Sequence, residues 1–249
     1  MMDQSYTAVA ALYDRLNGPE IYQQFAGRIS ALLRKKGIED GLVLELACGT
    51  GTLARALSLA GYEMICCDSS VEMLTVAREK CQDLPVPPVF ICQDMRDLDL
   101  YGTVRAAVCC LDSLNYLPDL ASLRETVAGV SLFLEQDGLF IFDVKSKEMF
   151  RQMAGQSSVY EDEDCYCTWQ YGFDGRSGLG EHVVDLFFRQ GDGSYLRRQE
   201  IHLQKAFSRK QIETVLDKCD LDLVGVYQDL STRKATEEEG RLLFVARKR

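Results

Sequence analysis

Short apolar runs alternate with longer amphipathic stretches between residues 41 and 144. The runs are continuous and are not interrupted at every second position by polar residues, which is typical of parallel strands buried on both faces. The stretches between them carry helical spacing and N-terminal caps, as at Ser69 with Glu72 and at Asp119. This alternation predicts a parallel sheet with helices on both faces. The predicted strands are Leu42–Leu46, Glu63–Cys67, Val89–Cys92, Val104–Cys110 and Leu139–Val144.

The segments on either side of this region have different patterns. Two amphipathic helices are predicted before it, at Ala8–Leu16 and at Ile21–Lys36. From about residue 158 to residue 207, aromatic residues, glycine-rich turns and partly alternating runs predict three or four antiparallel strands. Helical spacing returns at Ser208–Lys218, where Ser208 and Gln211 form a capping box. The last two predicted strands are Leu221–Gln228 and Arg241–Arg247.

The composition narrows the class of protein and of ligand. With 249 residues, of which 47% are hydrophobic, the chain can bury one full-sized core with an elaboration. No apolar run approaches the roughly 18 residues of a membrane span, and no basic stretch leads into an apolar run at the N-terminus. We therefore predict a cytoplasmic protein without membrane contact. The net charge of −10 argues against nucleic-acid binding and suits a cationic ligand.

The cysteines do not form a recognisable metal motif. Several of the 10 cysteines lie inside apolar runs, where a thiol acts as a small hydrophobic group. Cys165-Tyr166-Cys167 has a spacing that suits neighbouring positions on a strand better than a zinc site. We predict no metal site.

Acidic residues end successive predicted strands. Because ligands bind beyond the carboxyl ends of the strands in an open parallel sheet, these acids should form the rim of one crevice. Such a rim would suit hydroxyls, amines and a cation. Glu45 is the most informative, since it interrupts an apolar strand and needs either a ligand or a buried Lys or Arg partner. The five acids are Glu45, Asp68, Asp94, Asp112 and Asp143.

A glycine-containing loop follows the first strand, at Ala47–Thr52. Its glycines allow a tight turn and a close approach of the backbone to a ligand. The segment from Gly49 to Ala54 also fits the dinucleotide fingerprint G-x-G-x-x-G/A, with Asp68 near the position of a ribose-binding acid. The loop by itself therefore leaves open a nicotinamide dinucleotide and S-adenosylmethionine.

Four motifs, in order and at fitting intervals, resemble the class I S-adenosylmethionine-dependent methyltransferases of the small-molecule type. The run from Glu45 to Gly51 resembles the E/D-x-G-x-G-x-G loop of that family, with Ala47 in place of the first glycine. The resemblance extends over most of the chain and favours S-adenosylmethionine, whose net positive charge suits an acidic protein. The other three motifs resemble the family's next strand ends and are Cys67–Leu74, Gln93–Met95 and Leu111–Tyr116.

The resemblance implies an α/β fold with a doubly wound seven-stranded sheet, mostly parallel with an antiparallel last strand, plus an inserted antiparallel β segment. Residues 1–40 would form an N-terminal helical lid. Residues 41–154 and 208–249 would form the cofactor-binding α/β domain, and residues 155–207 would be the inserted segment that covers the substrate.

The resemblance also implies roles for individual residues. The backbone at Ala47, Gly49 and Gly51 would lie against the methionine portion of the cofactor, with Glu45 near its ammonium group. Asp68 would accept hydrogen bonds from the ribose hydroxyls. The remaining implied cofactor-binding residues are Tyr13 from the lid, Ser69, Met73, Asp94 and Met95 at the adenine, and Leu111.

The predicted function is in-line transfer of a methyl group from S-adenosylmethionine to a small-molecule acceptor. A base is needed only if the nucleophile arrives protonated. The candidates near the acceptor are His202, Asn115 and Tyr116. Three alternatives are a nucleic-acid or protein methyltransferase, a nicotinamide dinucleotide-dependent oxidoreductase, and a binding protein that keeps the cofactor site without turnover.

Overall fold

A computed structural model describes residues 13–235 and 240–249. Two helices precede the first strand, and strands and helices then alternate up to the fifth strand. The predicted helix at Ala8–Leu16 lies partly outside the described residues. The elements up to that strand are α1 (Tyr13–Asn17), α2 (Pro19–Lys35), β1 (Leu42–Leu46), α3 (Thr52–Leu59), β2 (Glu63–Asp68), α4 (Val71–Cys81), β3 (Val89–Cys92), β4 (Val104–Cys109), α5 (Leu120–Phe133) and β5 (Leu134–Lys145).

The second half of the chain contains four further strands, then a helix and a strand pair. The elements are α6 (Lys147–Met153), β6 (Ser157–Glu161), β7 (Cys165–Asp174), β8 (Leu179–Arg189), β9 (Tyr195–Lys205), α7 (Arg209–Lys218), β10 (Leu221–Gln228) and β11 (Arg241–Lys248).

The main sheet has seven strands in the order β10-β11-β5-β4-β1-β2-β3. The pairs among β1 to β5 are parallel, and β11 runs antiparallel to both of its neighbours. This confirms the predicted doubly wound α/β sheet with an antiparallel last strand. Because β1 and β4 lie side by side while β2 and β5 extend in opposite directions, the strand order reverses at β1 and β4, and a crevice is expected there.

The core has two layers, one on each face of the main sheet. Successive side chains of β5 point to opposite faces, so Phe140 and Phe142 pack with α5 and α7, whereas Leu139 and Ile141 pack on the side of α2 and α3. Both layers are closed to water, as Val130 of α5 and Phe25 of α2 illustrate with exposed fractions of 0%. The apolar runs of the central strands β1 and β4 are therefore continuous because both of their faces are covered.

The second sheet is antiparallel and has the order β6-β7-β8-β9, which confirms the inserted antiparallel segment. Its own small core consists of Cys165, Cys167, Val184 and Leu186, and Leu16 of α1 packs against it. The two cysteines thus occupy buried positions on one face of a strand, as their spacing predicts.

Local differences concern boundaries and caps. The cap of α4 is Ser70, whose hydroxyl accepts a hydrogen bond from the backbone of Met73, so the prediction of a cap at Ser69 was wrong by one residue. Asp119 and the Ser208 capping box do cap α5 and α7. In the described part of the chain, no helix is long and apolar enough to cross a membrane.

Candidate active site

The loop after β1 has a left-handed backbone at three positions. The φ angles of Ala47, Gly49 and Gly51 are 50°, 53° and 71°. Gly51 is also restricted by packing, since an added Cβ would lie 2.9 Å from the Cβ of Ala77 in α4. Ala47 adopts a conformation that costs an L-residue roughly 1–2 kcal/mol. The loop therefore keeps the family's glycine geometry even where alanine has replaced glycine.

Asp68, at the end of β2, is tied to this loop. Its carboxylate accepts hydrogen bonds from the backbone N–H of Gly49 at 2.8 Å and of Ser70 at 2.9 Å. Burial raises the pKa of Asp68, and these N–H groups oppose that effect. Each oxygen accepts one of these bonds and keeps capacity for another, so the carboxylate can still accept hydroxyl groups of a ligand.

Glu45 is a buried carboxyl group near the end of β1. Only 4% of the residue is exposed, and burial, followed by the nearby charge of Asp68, raises its pKa to about 8. Within residues 13–235 and 240–249, no Lys or Arg forms an ion pair with Glu45. The thiol of Cys66 lies 3.9 Å away. The sequence left two interpretations of Glu45, a ligand contact or a buried ion pair with a Lys or Arg of the fold. The described residues form no such ion pair, so the ligand contact is the interpretation that remains.

A cavity of about 530 Å³, called the glycine-loop cavity, opens beside these residues. Asp94 lies at its edge but pairs with Arg96 at 2.5 Å, which lowers the pKa of Asp94. Met73 is a buried residue of α4, with 2% of its surface exposed, and it does not line this cavity. The lining residues include Ala47, Asp68, Ser69, Asp94, Met95 and Tyr116.

Helix α1 is attached to the glycine loop by Asp14. One carboxylate oxygen of Asp14 accepts hydrogen bonds from Thr50 at 2.6 Å and from Thr52 at 2.9 Å. The other oxygen pairs with Lys80 of α4. On its opposite side, α1 is joined to the second sheet by Arg15 and Asp162, 2.8 Å apart. The side chain of Tyr13, a predicted cofactor contact, lies outside what the structure describes.

A second cavity of about 350 Å³, called the intersheet cavity, lies between the edge of the main sheet and the second sheet. Aromatic side chains of β6 and β7 form one wall, and the charged ends of β5 and β11 form the opposite wall. The lining residues include Leu111, Asp112, Tyr116, Lys145, Trp169, Tyr171, His182 and Arg241.

Charged residues on the sheet side of the intersheet cavity neutralise one another. Asp112 is 2.8 Å from the Lys145 ammonium and 2.9 Å from both Arg241 Nη2 and the Gln204 amide nitrogen. Arg241 also pairs with Asp143, which is fully buried. Burial alone would raise the pKa of Asp112, but Lys145 and Arg241 outweigh it and lower the pKa to about 2.

The predicted acidic rim is therefore divided in two. Asp112 and Asp143 face Lys145 and Arg241, whereas Glu45 and Asp68 have no cationic partner among the described residues. The backbone is left-handed at Leu111 and Asp112, with φ of 58° and 53°, and non-glycine residues in that region cluster at functional sites. A cationic ligand thus fits the β1–β2 half of the crevice.

The three predicted catalytic residues lie at different depths. Tyr116 lines both cavities, and its hydroxyl is 3.3 Å from His202 Nδ1. His202 is fully buried behind Tyr116 and lines neither cavity. Asn115 is also fully buried, and its amide bonds to the backbone of Lys145 and Lys205, so it joins β5 to β9. Direct contact with an acceptor is open to Tyr116 alone among the three.

Sequence comparison finds methyltransferase relatives. A family profile described as "Methyltransferase domain" matches residues 43–138. YqeM of Bacillus subtilis (strain 168), a protein whose name marks it as a methyltransferase, is 34% identical over 246 residues, which span 98% of this chain and 97% of that protein. The chain belongs to the class I S-adenosylmethionine-dependent methyltransferases.

Two further relatives are a solved structure and a curated enzyme. A solved S-adenosylmethionine-dependent methyltransferase from Clostridium acetobutylicum ATCC 824 superimposes with a TM-score of 0.86 at 27% identity, over 98% of both chains. The dTDP-3-amino-3,6-dideoxy-alpha-D-glucopyranose N,N-dimethyltransferase of Streptomyces fradiae is 28% identical over 54% of this chain and 52% of its own length.

The cofactor of this methyltransferase is S-adenosylmethionine. The residues present fit it, because the buried Glu45 carboxyl group lacks a cation that the ammonium group would supply. The carboxylate of Asp68, which lines the glycine-loop cavity, keeps acceptor capacity for the ribose hydroxyls. This assignment decides between the two cofactors that the glycine loop alone left open.

Sequence reasoning missed the cations of the intersheet cavity. Lys145 ends the apolar β5 and Arg241 begins the apolar β11, and the two residues are register partners. A charged residue at the end of a fully buried strand was the available signal. The pairing of β11 with β5, which brings them together, is a long-range contact that no local pattern contains.

Proposed function

We propose that this methyltransferase transfers a methyl group to a small-molecule acceptor bound in the intersheet cavity. The observation that carries the proposal is that Tyr116 lines both cavities, so a methyl donor in one can adjoin an acceptor in the other. A volume of about 350 Å³ is in the range of small-molecule sites, and residues of the second sheet form part of its lining. A polymer would need an open groove at this position.

The cofactor is assigned to the glycine-loop cavity. Glu45 would balance its ammonium group, Asp68 would accept from the ribose hydroxyls, and Ala47, Gly49 and Gly51 would present backbone to the methionine portion. When bound, S-adenosylmethionine supplies a methyl group on a sulfonium. At the adenine end, the assigned contacts are Ser69, Asp94 and Met95, while the buried position of Met73 supports a packing role. Leu111 lines the intersheet cavity and would contact the cofactor from that side.

The acceptor would lie between an aromatic wall and a polar wall. Trp169 and Tyr171 offer flat surfaces, and Lys145 and Arg241 retain N–H groups beyond those used in their ion pairs. Such a combination suits a compact polar molecule with several oxygen or nitrogen atoms. The amino sugar in the name of the Streptomyces fradiae relative belongs to this class of molecule.

The test is calorimetry followed by an acceptor screen. S-adenosylmethionine and S-adenosylhomocysteine should bind, whereas NAD should not. With S-adenosylmethionine present, release of S-adenosylhomocysteine is then measured against amino sugars, other small amines and alcohols, a mixed RNA and a polypeptide pool. Turnover with a small molecule supports the proposal, and turnover with only RNA or polypeptide contradicts it.

A matched pair of variants ties the acceptor to the intersheet cavity. Trp169→Ala removes part of the aromatic wall and should raise the KM for the acceptor while leaving the Kd of S-adenosylmethionine unchanged. Tyr166→Ala is the control, because Tyr166 is an aromatic residue of the same strand that does not line the cavity. Equal effects of the two variants on KM would argue against binding at this wall.

A further inference from the structure

A row of three polar residues begins at the half-buried Tyr116 and leads away from both cavities to two buried residues, His202 and Glu200. The Tyr116 hydroxyl is 3.3 Å from Nδ1 of His202, and Nε2 of the same ring is 3.2 Å from the Glu200 carboxylate. His202 is 0% exposed and Glu200 is 8% exposed. The two residues alternate along β9 and therefore lie on the same face of the sheet.

We propose that Tyr116, His202 and Glu200 form a proton path that removes the acceptor's proton during methyl transfer. This inference rests on the proposed function and narrows it, because a proton path is needed only for a nucleophile that carries a proton. The acceptor would then react through an N–H or O–H group, and not through a thioether or a tertiary amine.

The proton balance of the path is simple. As the acceptor atom forms its bond to the methyl carbon, the bond between that carbon and the sulfur of the methyl donor breaks, and its electron pair stays on sulfur. The acceptor's N–H or O–H bond breaks as well, and its proton passes to the oxygen of Tyr116. The phenolic proton of Tyr116 passes to Nδ1 of His202. The ring becomes an imidazolium, and the electron pair of the broken N–H or O–H bond remains on the acceptor atom. Tyr116 is the catalytic residue, and His202 and Glu200 act through it.

Glu200 gives the path its direction. A fully buried imidazolium is costly unless an opposite charge lies close to it. Among the described residues, the groups that face the His202 ring include Tyr116, the indole of Trp169, the Glu200 carboxylate and, across the β8–β9 register, His182. Glu200 is the anion among them, so it would stabilise the ring after proton transfer and favour the Nε2–H tautomer before it.

Two other titratable groups of the intersheet cavity, Asp112 and His182, are weak bases near neutral pH. Lys145 and Arg241 hold Asp112 ionised and occupy its oxygens, which leaves little proton affinity. His182 lines the cavity, but burial lowers its pKa to about 4. Near neutral pH neither group would hold a proton taken from the acceptor.

The first test is the tautomer of His202 in the full chain. The protein has 2 histidines, so ¹⁵N-histidine labelling gives a simple long-range ¹H–¹⁵N spectrum, and a His182→Gln variant assigns the signals. We expect a proton on Nε2 and none on Nδ1, with or without S-adenosylhomocysteine. A proton on Nδ1 alone would place a donor against Tyr116 and would overturn the proposal.

The second test is kinetic and uses an acceptor from the screen. Glu200→Gln keeps the shape of the side chain and removes its charge, so kcat should fall tenfold or more, within reach of the roughly 10²–10⁴-fold contribution of acid–base catalysis. The Kd of S-adenosylmethionine should not change. An unchanged kcat over the pH range of activity would contradict a proton path.

The control for this variant is Asp185→Asn. Asp185 is 8% exposed, like Glu200, but it lies on β8 and pairs with Arg197. The control should keep the wild-type kcat, and an equal loss in both variants would indicate a merely structural effect and overturn the path. The tautomer measurement needs no acceptor, so its outcome is independent of whether the proposed function is correct.

Discussion

The carboxylate of Asp14 in α1 accepts a 2.6 Å hydrogen bond from the hydroxyl of Thr50 in the glycine loop. Thr50 is 2% exposed, so this bond joins the N-terminal helix to a buried part of the proposed cofactor site. Lys80 pairs with the same carboxylate from the other side. Asp14 therefore fixes the N-terminal helix α1 to the glycine loop, which is part of the proposed cofactor site.

Asp14→Ala should weaken the binding of S-adenosylmethionine. The change removes two hydrogen bonds to a charged acceptor, each of which contributes roughly 1.5–3 kcal/mol. Part of this energy holds the glycine loop in place, so only the remainder should be lost from the free energy of cofactor binding. We expect the Kd to rise about three- to tenfold by calorimetry. Glu20→Ala, a change of an exposed acid in α2, is the control. Equal Kd values for the wild type and Asp14→Ala would show that the attachment of α1 does not affect the site.

Glu45→Gln should stabilise the cofactor-free protein at alkaline pH. The folded pKa is about 8 and the reference value is 4.5, so the unfolded chain ionises first. The stability of the wild type therefore decreases as the pH rises from about 4.5 to 8, by an amount on the order of several kcal/mol. The Gln variant lacks this dependence. Its melting temperature should exceed that of the wild type at pH 8 by more than at pH 5.5.

Glu45→Gln should weaken the binding of S-adenosylmethionine, although it stabilises the cofactor-free protein. An ammonium group favours the ionised form of Glu45, so binding below pH 8 requires the release of a proton, and the affinity of the wild type should decrease as the pH is lowered from 8 to 6. Comparing the pH dependence of the Kd in the wild type and in Glu45→Gln separates the titration of Glu45 from that of the ligand. Parallel pH profiles for the two proteins would remove Glu45 from the ammonium site.

Much of the fold follows from local patterns, whereas the charge balance of the site does not. β1 and β3 have the bounds that their apolar runs predict. For β1 the reason is that a strand covered on both faces leaves a continuous apolar signal. The positions of Glu45 and Asp68 beside the crevice were predictable from the same runs, because Glu45 lies within the first apolar run and Asp68 directly follows the second. The neutralisation of Asp112 by Arg241 depends instead on the pairing of β11 with β5.

The burial of His202 could not be predicted from the local sequence either. A histidine on a strand rich in charged residues is expected to be exposed, but the ring is fully buried behind Tyr116. Its burial depends on how the second sheet packs against the segment after β4. No periodicity in the sequence encodes that contact, which joins residues 86 positions apart.

Gly51→Ala should destabilise the protein more than Gly37→Ala does. Both positions have a left-handed backbone, with φ of 71° and 76°, but only at Gly51 would the new methyl group meet Ala77, at 2.9 Å. The difference in the free energy of unfolding should be about 1–3 kcal/mol, the usual cost of overpacking, measured by urea denaturation. Combining Gly51→Ala with Ala77→Gly should recover part of it, and equal losses at the two glycines would contradict the packing argument.

Asp68→Ala should reduce the affinity for S-adenosylmethionine at least about tenfold, because charge-assisted hydrogen bonds worth roughly 1.5–3 kcal/mol are lost. The variant also releases the N–H of Gly49, so the loop itself loses a partner. Asp68→Asn separates the two effects, since its amide oxygen can still accept from Gly49 while the negative charge is gone. Asp83→Ala, at an exposed acid that pairs with Arg55, is the control. If Asp68→Ala bound the cofactor as tightly as this control, the ribose would have to lie elsewhere, and the placement of the adenosyl group in the glycine-loop cavity would be wrong.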